Sequence, residues 1–479
     1  MNKSAIRYIL GWIMLCEAAL LLLPLSVSLI YSEPKSVKAF IITIVISLIL
    51  GLALVIKKPA NRMLHIREGL VITASTWLVI SVIGALPFIL SGAIINPFSA
   101  LFETVSGFTT TGSSILADVE SIDRGIIFWR SFTHWIGGMG VLVFILMLKP
   151  LSGGSTVNIM KAESPGPQVE KLVPKLQSTA QILYAIYIVM TIIQIIILYL
   201  GGMTLFEAVT LSFGTAGTGG FGIRNDSIAS YSPFLQNTIT VFMILFGVNF
   251  SAYFLILQGK PKKALLEEVK WYFAIILIAI AIITFNIRDF YGSFAESLRH
   301  SAFQVGAIIT TTGYSTVNFD LWPSLSKTIL VLLMFVGACA GSTGGGMKVS
   351  RIIILIKTVK KELQFYLHPQ KVGKICLDKK PIEHNTLRAT NVYFVTYMLI
   401  FAGSMLLISI DNYDLTTNFT AVTTTLNNIG PGLAKVGPIE NFSIFSDFSK
   451  LVLTFNMLAG RLELFPLLLF LHHKTWRKF

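Results

Sequence analysis

Apolar runs of two lengths alternate along this chain, and the two lengths predict different elements. Runs long enough to cross a hydrocarbon core of ~30 Å at ~1.5 Å per residue lie at about 6–31, 37–56, 69–90, 125–148, 180–200, 233–257, 269–287, 326–357, 389–410 and 448–472. Four shorter apolar-aromatic runs, 97–106, 205–213, 295–308 and 418–425, each stand between two long ones. About ten helical residues reach only about half-way through the core, so the short runs predict re-entrant half-helices. Backbone that leaves a half-helix at mid-membrane must line water or ions, because lipid cannot satisfy its carbonyls. The expected fold is therefore an all-α polytopic membrane protein with about ten transmembrane helices and four re-entrant pore helices. An N-terminal two-helix hairpin, 1–60, precedes four tandem helix, pore-loop, helix repeats at 61–160, 161–262, 263–380 and 381–479 in a pseudo-four-fold arrangement. The first run begins with Lys3 and Arg7, as a secretory signal does. It is longer than a ~7–15 residue signal core and lacks a small-residue cleavage site, so it reads as a membrane helix.

The segments that follow the half-helices are related. Phe108-Thr109-Thr110-Thr111-Gly112-Ser113-Ser114 returns as Thr310-Thr311-Thr312-Gly313-Tyr314-Ser315. Looser versions are Ala216-Gly217-Thr218-Gly219-Gly220-Phe221 and Asn427-Asn428-Ile429-Gly430-Pro431-Gly432. Gly112, Gly219, Gly313 and Gly430 are spaced by about 107, 94 and 117 residues, the mark of internal duplication. A Thr-Thr-Gly segment at membrane depth offers hydroxyls and carbonyls to a dehydrated cation, and glycine supplies the φ freedom that turns carbonyls inward. Four such segments make a ring. The second and fourth depart from Thr-Thr-Gly, so the ring is not strictly four-fold.

Composition and charge orient these elements. Hydrophobic residues are 54% of the chain and charged residues 13%, against roughly 25% charged in soluble domains. The net charge of +14 does not indicate nucleic acid, because the basic residues sit in particular loops. These are Lys57, Lys58, Arg62 and Arg67; Lys149, Lys161, Lys171 and Lys175; Lys260, Lys262, Lys263 and Lys270; 357–388; and Lys474, Arg477 and Lys478. Acidic residues gather in the alternate loops, at Glu103, Asp118, Glu120, Asp123, Asp226, Asp289, Asp320, Asp411, Asp414, Glu440 and Asp447. This positive-inside pattern puts both termini in the cytoplasm, the filter loops outside, and basic loops against anionic membrane lipid. Cys16, Cys339 and Cys376 are too scattered for a disulfide framework or zinc site. The seven histidines show no metal or catalytic spacing, so no enzyme is expected; His134 and Arg130 read as hydrogen-bond partners of the filter loop. Glu17, inside the first run, reads as paired to a neighbouring helix.

The second helix of each repeat carries small or polar residues near its middle: Gly137-Gly138-Met139-Gly140, Gly247-Val248-Asn249, the 337–346 stretch and Gly460-Arg461. The first two read as close packing. In the third, Gly341, Ser342, Thr343, Gly344, Gly345 and Gly346 concentrate glycines that each disfavour helix by about 1 kcal/mol relative to alanine, so the helix should break. The stretch up to Lys348 fails the phosphate-binding pattern G-x-x-x-x-G-K-[ST], because Met347 precedes Lys348 and no strand leads into it. A mid-membrane loop beneath the filter can instead obstruct or open a pore. Arg461 costs at least about 2.5–3.5 kcal/mol in an apolar helix, and reads either as a salt bridge to Glu463 or as an electrostatic barrier in the pore.

The layout, together with 132–140 (FTHWIGGMG), 341–348 (GSTGGGMK), 427–432 (NNIGPG) and 460–465 (GRLELF) in this order, resembles the TrkH family of the Trk/Ktr/HKT superfamily of K⁺ transporters. The match covers essentially the whole chain. The resemblance implies a K⁺ selectivity filter of Thr110, Thr111, Gly112, Thr218, Gly219, Thr311, Thr312, Gly313, Asn428, Ile429 and Gly430. K⁺ would be held at Thr110, Thr111, Thr218, Gly219, Thr311, Thr312, Asn428 and Ile429, with no organic cofactor. It implies an intramembrane gating loop at 337–348, acting with Arg461. It also implies a homodimer in the cytoplasmic (inner) membrane, resting on a separate TrkA-like nucleotide-binding subunit. The 357–388 segment is the expected docking surface. The extra hairpin disfavours the Na⁺-dependent KtrB-type alternative. Repeats running one way and filters without carboxylates disfavour an inverted-repeat secondary transporter.

Overall fold

The computed structural model describes residues 1–59, 64–140, 176–370 and 373–476. The end of the 125–148 run and Arg62, Lys149, Lys161, Lys171, Lys175, Lys371, Arg477 and Lys478 lie outside the described residues. The chain is a mostly helical polytopic membrane protein. Among the described residues, six helices are long and apolar enough to cross a bilayer: Lys3–Ile30, Pro34–Val55, Ile66–Ser91, Gln181–Leu200, Glu267–Asn286 and His384–Asp411. They are the hairpin and the first helix of each repeat. Ile66–Ser91 is 72% buried and the others no more than 39%, so the first helix of repeat one is enclosed while its counterparts face lipid.

The hairpin packs through small residues. A Cβ on Gly11 would come within 2.9 Å of the Gly51 carbonyl, the close approach by which membrane helices associate. The turn between its helices grips repeat one: Glu33 accepts from the Arg124 and Gly125 amides, and Ser36 donates to Asp123 at 2.6 Å. Glu17 is buried in the hairpin, and its carboxyl oxygens have no hydrogen-bond partner among the described residues. The pairing expected for it from sequence is not found there.

Four half-helices, Pro97–Phe108, Leu205–Gly217, Phe294–Ile309 and Leu415–Asn427, stand where the short runs predict them and extend beyond those runs. Each begins at a polar cap: Asn96, Thr204, Ser293 and Asp414 accept from amides of the first turn. Such a cap satisfies donors that have no partner inside the helix.

The second helices correct the expectation of long continuous spans. Pro233–Phe246 and Phe250–Leu257 meet at 90°, so the Gly247-Val248-Asn249 stretch, expected as helix packing, is a sharp turn, with the Asn249 side chain capping Ser251. Ser324–Val336 stops before the glycine-rich stretch and the helix resumes as Val349–Leu367, the break expected from composition. Asp447–Arg461 is separated from Phe465–Leu471 by Glu463 and Leu464, both left-handed at φ 56° and 67°. Gly137 and Gly138 do pack closely: a Cβ on either would strike the Phe108 carbonyl or the Gly217 Cα. A two-residue antiparallel pair, Cys376–Leu377 with Lys380–Pro381, departs from an all-α chain.

Candidate functional site

Each half-helix ends in the same backbone figure. Its chain turns through a left-handed residue, Thr110, Thr218, Thr311 or Asn428 (φ 55° to 60°), and two residues later through a glycine of positive φ. Those glycines are Gly112, Gly220, Gly313 and Gly430, at φ 80°, 78°, 80° and 104°. The second segment is therefore shifted by one from the sequence alignment: Gly220, not Gly219, takes the glycine position, and Gly219 takes the place of Thr111, Thr312 and Ile429. Left-handed threonine is costly because of its β-branch. Here the hydroxyls of Thr110, Thr218 and Thr311 each donate to the preceding carbonyl, at 2.6 to 2.7 Å. Thr109 with Thr111, and Thr310 with Thr312, share hydroxyl bonds of 2.8 and 2.7 Å that lock the turn.

The four figures close on one another. A Cβ added to Gly112 would run into the Gly219 carbonyl, one on Gly220 into that of Thr312, and one on Gly313 into that of Ile429. A Cβ on Gly430 would lie 3.0 Å from the Thr111 carbonyl. Repeat one thus abuts two, two abuts three, three abuts four and four returns to one. All the residues singled out from the sequence as a filter are gathered at this ring. The polar groups gathered there are backbone carbonyls and threonine hydroxyls, and no group of three or more His, Cys, Asp or Glu that could hold a metal occurs among the described residues. Carbonyl dipoles suit a monovalent cation that sheds its water.

Directly beneath the ring lies the glycine-rich loop. The Gly345 amide donates to Thr311 Oγ1 at 2.6 Å and the Gly346 amide to the Asn427 carbonyl at 3.0 Å. On repeat two, Thr343 Oγ1 donates to the Phe246 carbonyl at 3.2 Å and the Phe250 amide to the Gly341 carbonyl at 3.0 Å. Gly337, Gly341 and Gly346 have φ of 70° to 75°, and a Cβ on Gly346 would lie 2.6 Å from the Gly337 Cα, so the loop doubles back on itself at glycine.

Arg461 meets this loop from the fourth repeat. Its Nη1 donates to the Thr343 carbonyl at 3.1 Å, and its Nη2 to the Gly138 carbonyl at 2.8 Å and to the Gly137 carbonyl. The last two belong to the C-terminus of Arg124–Gly138, where exposed carbonyls and the helix dipole favour a cation. The salt bridge to Glu463 that the sequence allowed is not formed: Glu463 pairs with Arg351, whose guanidinium lies 4.1 Å from the Tyr393 ring centre.

Sequence reasoning missed several groups of this site. Lys348 is buried and donates to the Gly344 carbonyl. Glu268 Oε1 accepts from the Ala340 amide at 2.7 Å and the Ser350 amide at 3.0 Å, holding both ends of the loop. The signal was available, since an ionisable residue inside apolar sequence marks a functional candidate. Which backbone groups it would meet was not. His134 and Arg130 are bonded to carbonyls of the first two re-entrant segments: His134 Nδ1 to Gly107, at the end of the first half-helix, at 2.7 Å, and Arg130 Nη1 to Gly222 at 2.9 Å.

Comparison with known proteins agrees with this geometry. Residues 36–478 match the TrkH family, described as cation transport protein. The Trk system potassium uptake protein TrkH of Salmonella typhimurium is 34% identical over 100% of both chains, and TrkG of Escherichia coli is 31% identical over 100% of both. The crystal structure of the potassium transporter TrkH from Vibrio parahaemolyticus superposes with a TM-score of 0.90, at 30% identity and 100% coverage of each chain. With a carbonyl ring built from four abutting segments and similarity that runs the whole length, the chain belongs to the TrkH family of cation transport proteins.

Proposed function

We propose that this chain takes up potassium ions across the cytoplasmic membrane through a single-chain pore. The ring of Thr110, Thr111, Gly112, Thr218, Gly219, Gly220, Thr311, Thr312, Gly313, Asn428, Ile429 and Gly430 is its selectivity filter. The observation that carries the reading is the cyclic abutment, in which the Thr111, Gly219, Thr312 and Ile429 carbonyls each lie against the preceding repeat's glycine. The relatives are named for potassium uptake, and the chain is a transporter rather than an enzyme. Residues 341–346 and Arg461 form the gate. The loop is tied to the undersides of two filter segments, and Arg461 adds a fixed positive charge that a cation must pass. At ~4 Å and an effective dielectric of ~20, two unit charges interact by about 4 kcal/mol, roughly a thousandfold in occupancy. Opening requires a differential push from outside the pore, and a cytosolic nucleotide-binding subunit of the TrkA kind, docked on the basic 357–388 segment of a homodimer, supplies it.

The test is flux into vesicles holding the purified chain, with and without that subunit, comparing K⁺, Rb⁺ and Na⁺. Uptake of K⁺ over Na⁺ that rises with the subunit is expected. A folded chain that moves neither cation, or moves both equally, overturns the reading.

A further inference from the structure

The second filter segment lacks the locks of the others. Repeats one and three fix their turns by threonine hydroxyl pairs, and in repeat four Asn428 Nδ2 donates to Thr111 Oγ1 and to the Met457 carbonyl, both at 2.9 Å. In repeat two the corresponding stretch is Gly217-Thr218-Gly219-Gly220. Gly219 has no side chain to bond, and three glycines in four residues leave the backbone freer than anywhere else in the ring.

The side chains that bond Phe221 and Gly222, just past it, come from repeat one. Arg130 sends Nη1 to the Gly222 carbonyl at 2.9 Å, and its guanidinium lies 3.5 Å from the Phe221 ring centre. One turn further on, His134 packs against Phe221 with ring centres 4.1 Å apart. The Gly107 carbonyl takes the proton of His134 Nδ1 at 2.7 Å, which leaves Nε2 to accept from the Phe221 amide at 3.3 Å. Glu103, fully buried on the first half-helix, fixes Arg130: Oε1 accepts from Arg130 Nε at 2.6 Å and from Ser114 Oγ at 2.9 Å, and Oε2 from the Ile115 amide at 2.9 Å. One buried carboxylate and one buried guanidinium therefore join the outer ends of two filter segments.

Counted back from the ring glycine, the position of Glu103 is occupied by Leu211, Gln304 and Ala421 in the other repeats. Contacts between other neighbouring segments include neutral ones, as in Tyr314 donating to the Leu211 carbonyl at 3.2 Å and Ser113 to the Gly430 carbonyl at 3.2 Å, and an amide-to-carboxylate bond from Ala434 to Asp320 at 3.2 Å. A buried ion pair is weak as a source of stability, since apolar residues of equal volume often do as well, but its bonds fix geometry. We infer that Glu103 and Arg130 are positioning residues for cation selectivity, a charged strap that keeps the glycine-rich second filter segment in register with the first. The inference rests on the filter reading given above.

The test compares K⁺ and Na⁺ flux into vesicles for the full-length parent, Arg130→Lys, Glu103→Gln and, as a reference on the third segment, Gly313→Ser. Arg130→Lys keeps the charge and removes the planar fork. In folded Arg130→Lys and Glu103→Gln the K⁺-to-Na⁺ ratio should fall by about tenfold, the factor carried by one charge-assisted hydrogen bond. A purely structural role would lower yield, thermal midpoint and flux of both ions together and leave the ratio alone. Should those two variants not fold, Phe221→Leu removes the ring under the guanidinium while keeping the pair, and it should lower the ratio in the same direction. Folded variants with the parent ratio overturn the strap if Gly313→Ser shifts it, and overturn the filter reading as well if Gly313→Ser does not.

Discussion

At the scale of the residue, the ring depends on what is missing from its glycines. Gly112, Gly220 and Gly313 combine positive φ with a neighbouring carbonyl in the volume a Cβ would fill, whereas the nearest atom to that volume at Gly430 lies 3.0 Å away. Substitution with serine should therefore weaken K⁺ over Na⁺ selectivity or abolish flux at Gly112, Gly220 and Gly313, and act most mildly at Gly430. Flux and monodispersity of the four variants, measured in parallel, check the order. A second residue-scale expectation concerns acid. Burial alone would raise the Glu207 carboxyl, but hydrogen bonds from Arg224, Thr204 and Tyr231 outweigh it and hold the group at about 2, against an ordinary 4.5. A carboxylate lowered by folding stabilises fully above its unfolded value, and that stability is lost as pH falls through 4.5 towards 2. Glu207→Gln should melt below the parent at pH 6, and the gap should shrink on acidification. A gap that stays constant between pH 6 and pH 3 would contradict the assignment. The Thr204 cap belongs to the same end of the half-helix, and Thr204→Ala should cost about 0.5–2 kcal/mol.

At the scale of the element, the glycine-rich loop is held from several sides by single bonds that can be cut one at a time. Arg461→Ala removes the bonds to Gly137, Gly138 and Thr343 without leaving Glu463 unpaired, because Glu463 already has Arg351. The variant should fold and conduct faster, with less response to the regulatory subunit, and deletion within 341–346 should do the same. If both fold and behave as the parent does, the loop and the arginine are not the gate. Glu268→Gln tests the loop from the ends that lie away from the ring. Replacing the charged acceptor of Ala340 and Ser350 weakens two charge-assisted bonds, each worth about 1.5–3 kcal/mol. It should raise flux while leaving the K⁺-to-Na⁺ ratio unchanged, because Glu268 does not touch the ring. A changed ratio with unchanged flux would place Glu268 in the filter machinery instead.

At the scale of the whole molecule, orientation follows from loop charge, and a reporter can read it. Fusions after Lys478, or insertions near Lys262 or Lys371, should report cytoplasm, and insertions near Asp320 or Glu440 the outside. The loops holding Asp320 and 434–440 already meet, with the Ala434 amide donating to Asp320 at 3.2 Å, so opposite signals from 320 and 440 would contradict the fold itself. Much of this architecture was legible in the chain. Run length separates the hairpin and the first helix of each repeat from the half-helices because helical rise and bilayer thickness are fixed, but it did not show that the second helices are broken. Repetition of Thr-Thr-Gly located the ring, and glycine density located the break beneath it, since both act within a few residues. The register of the second segment and the 90° turn after Phe246 were not legible: a Gly-Gly pair allows either alignment, and Gly247 is equally at home in a packed helix. The partners of the charged residues belong wholly to the tertiary structure. Arg461 meets a carbonyl 323 residues away, and Asn428 a threonine 317 residues away. Such pairings depend on how four repeats close around an axis, and no local pattern encodes which backbone carbonyl a buried cation will find there.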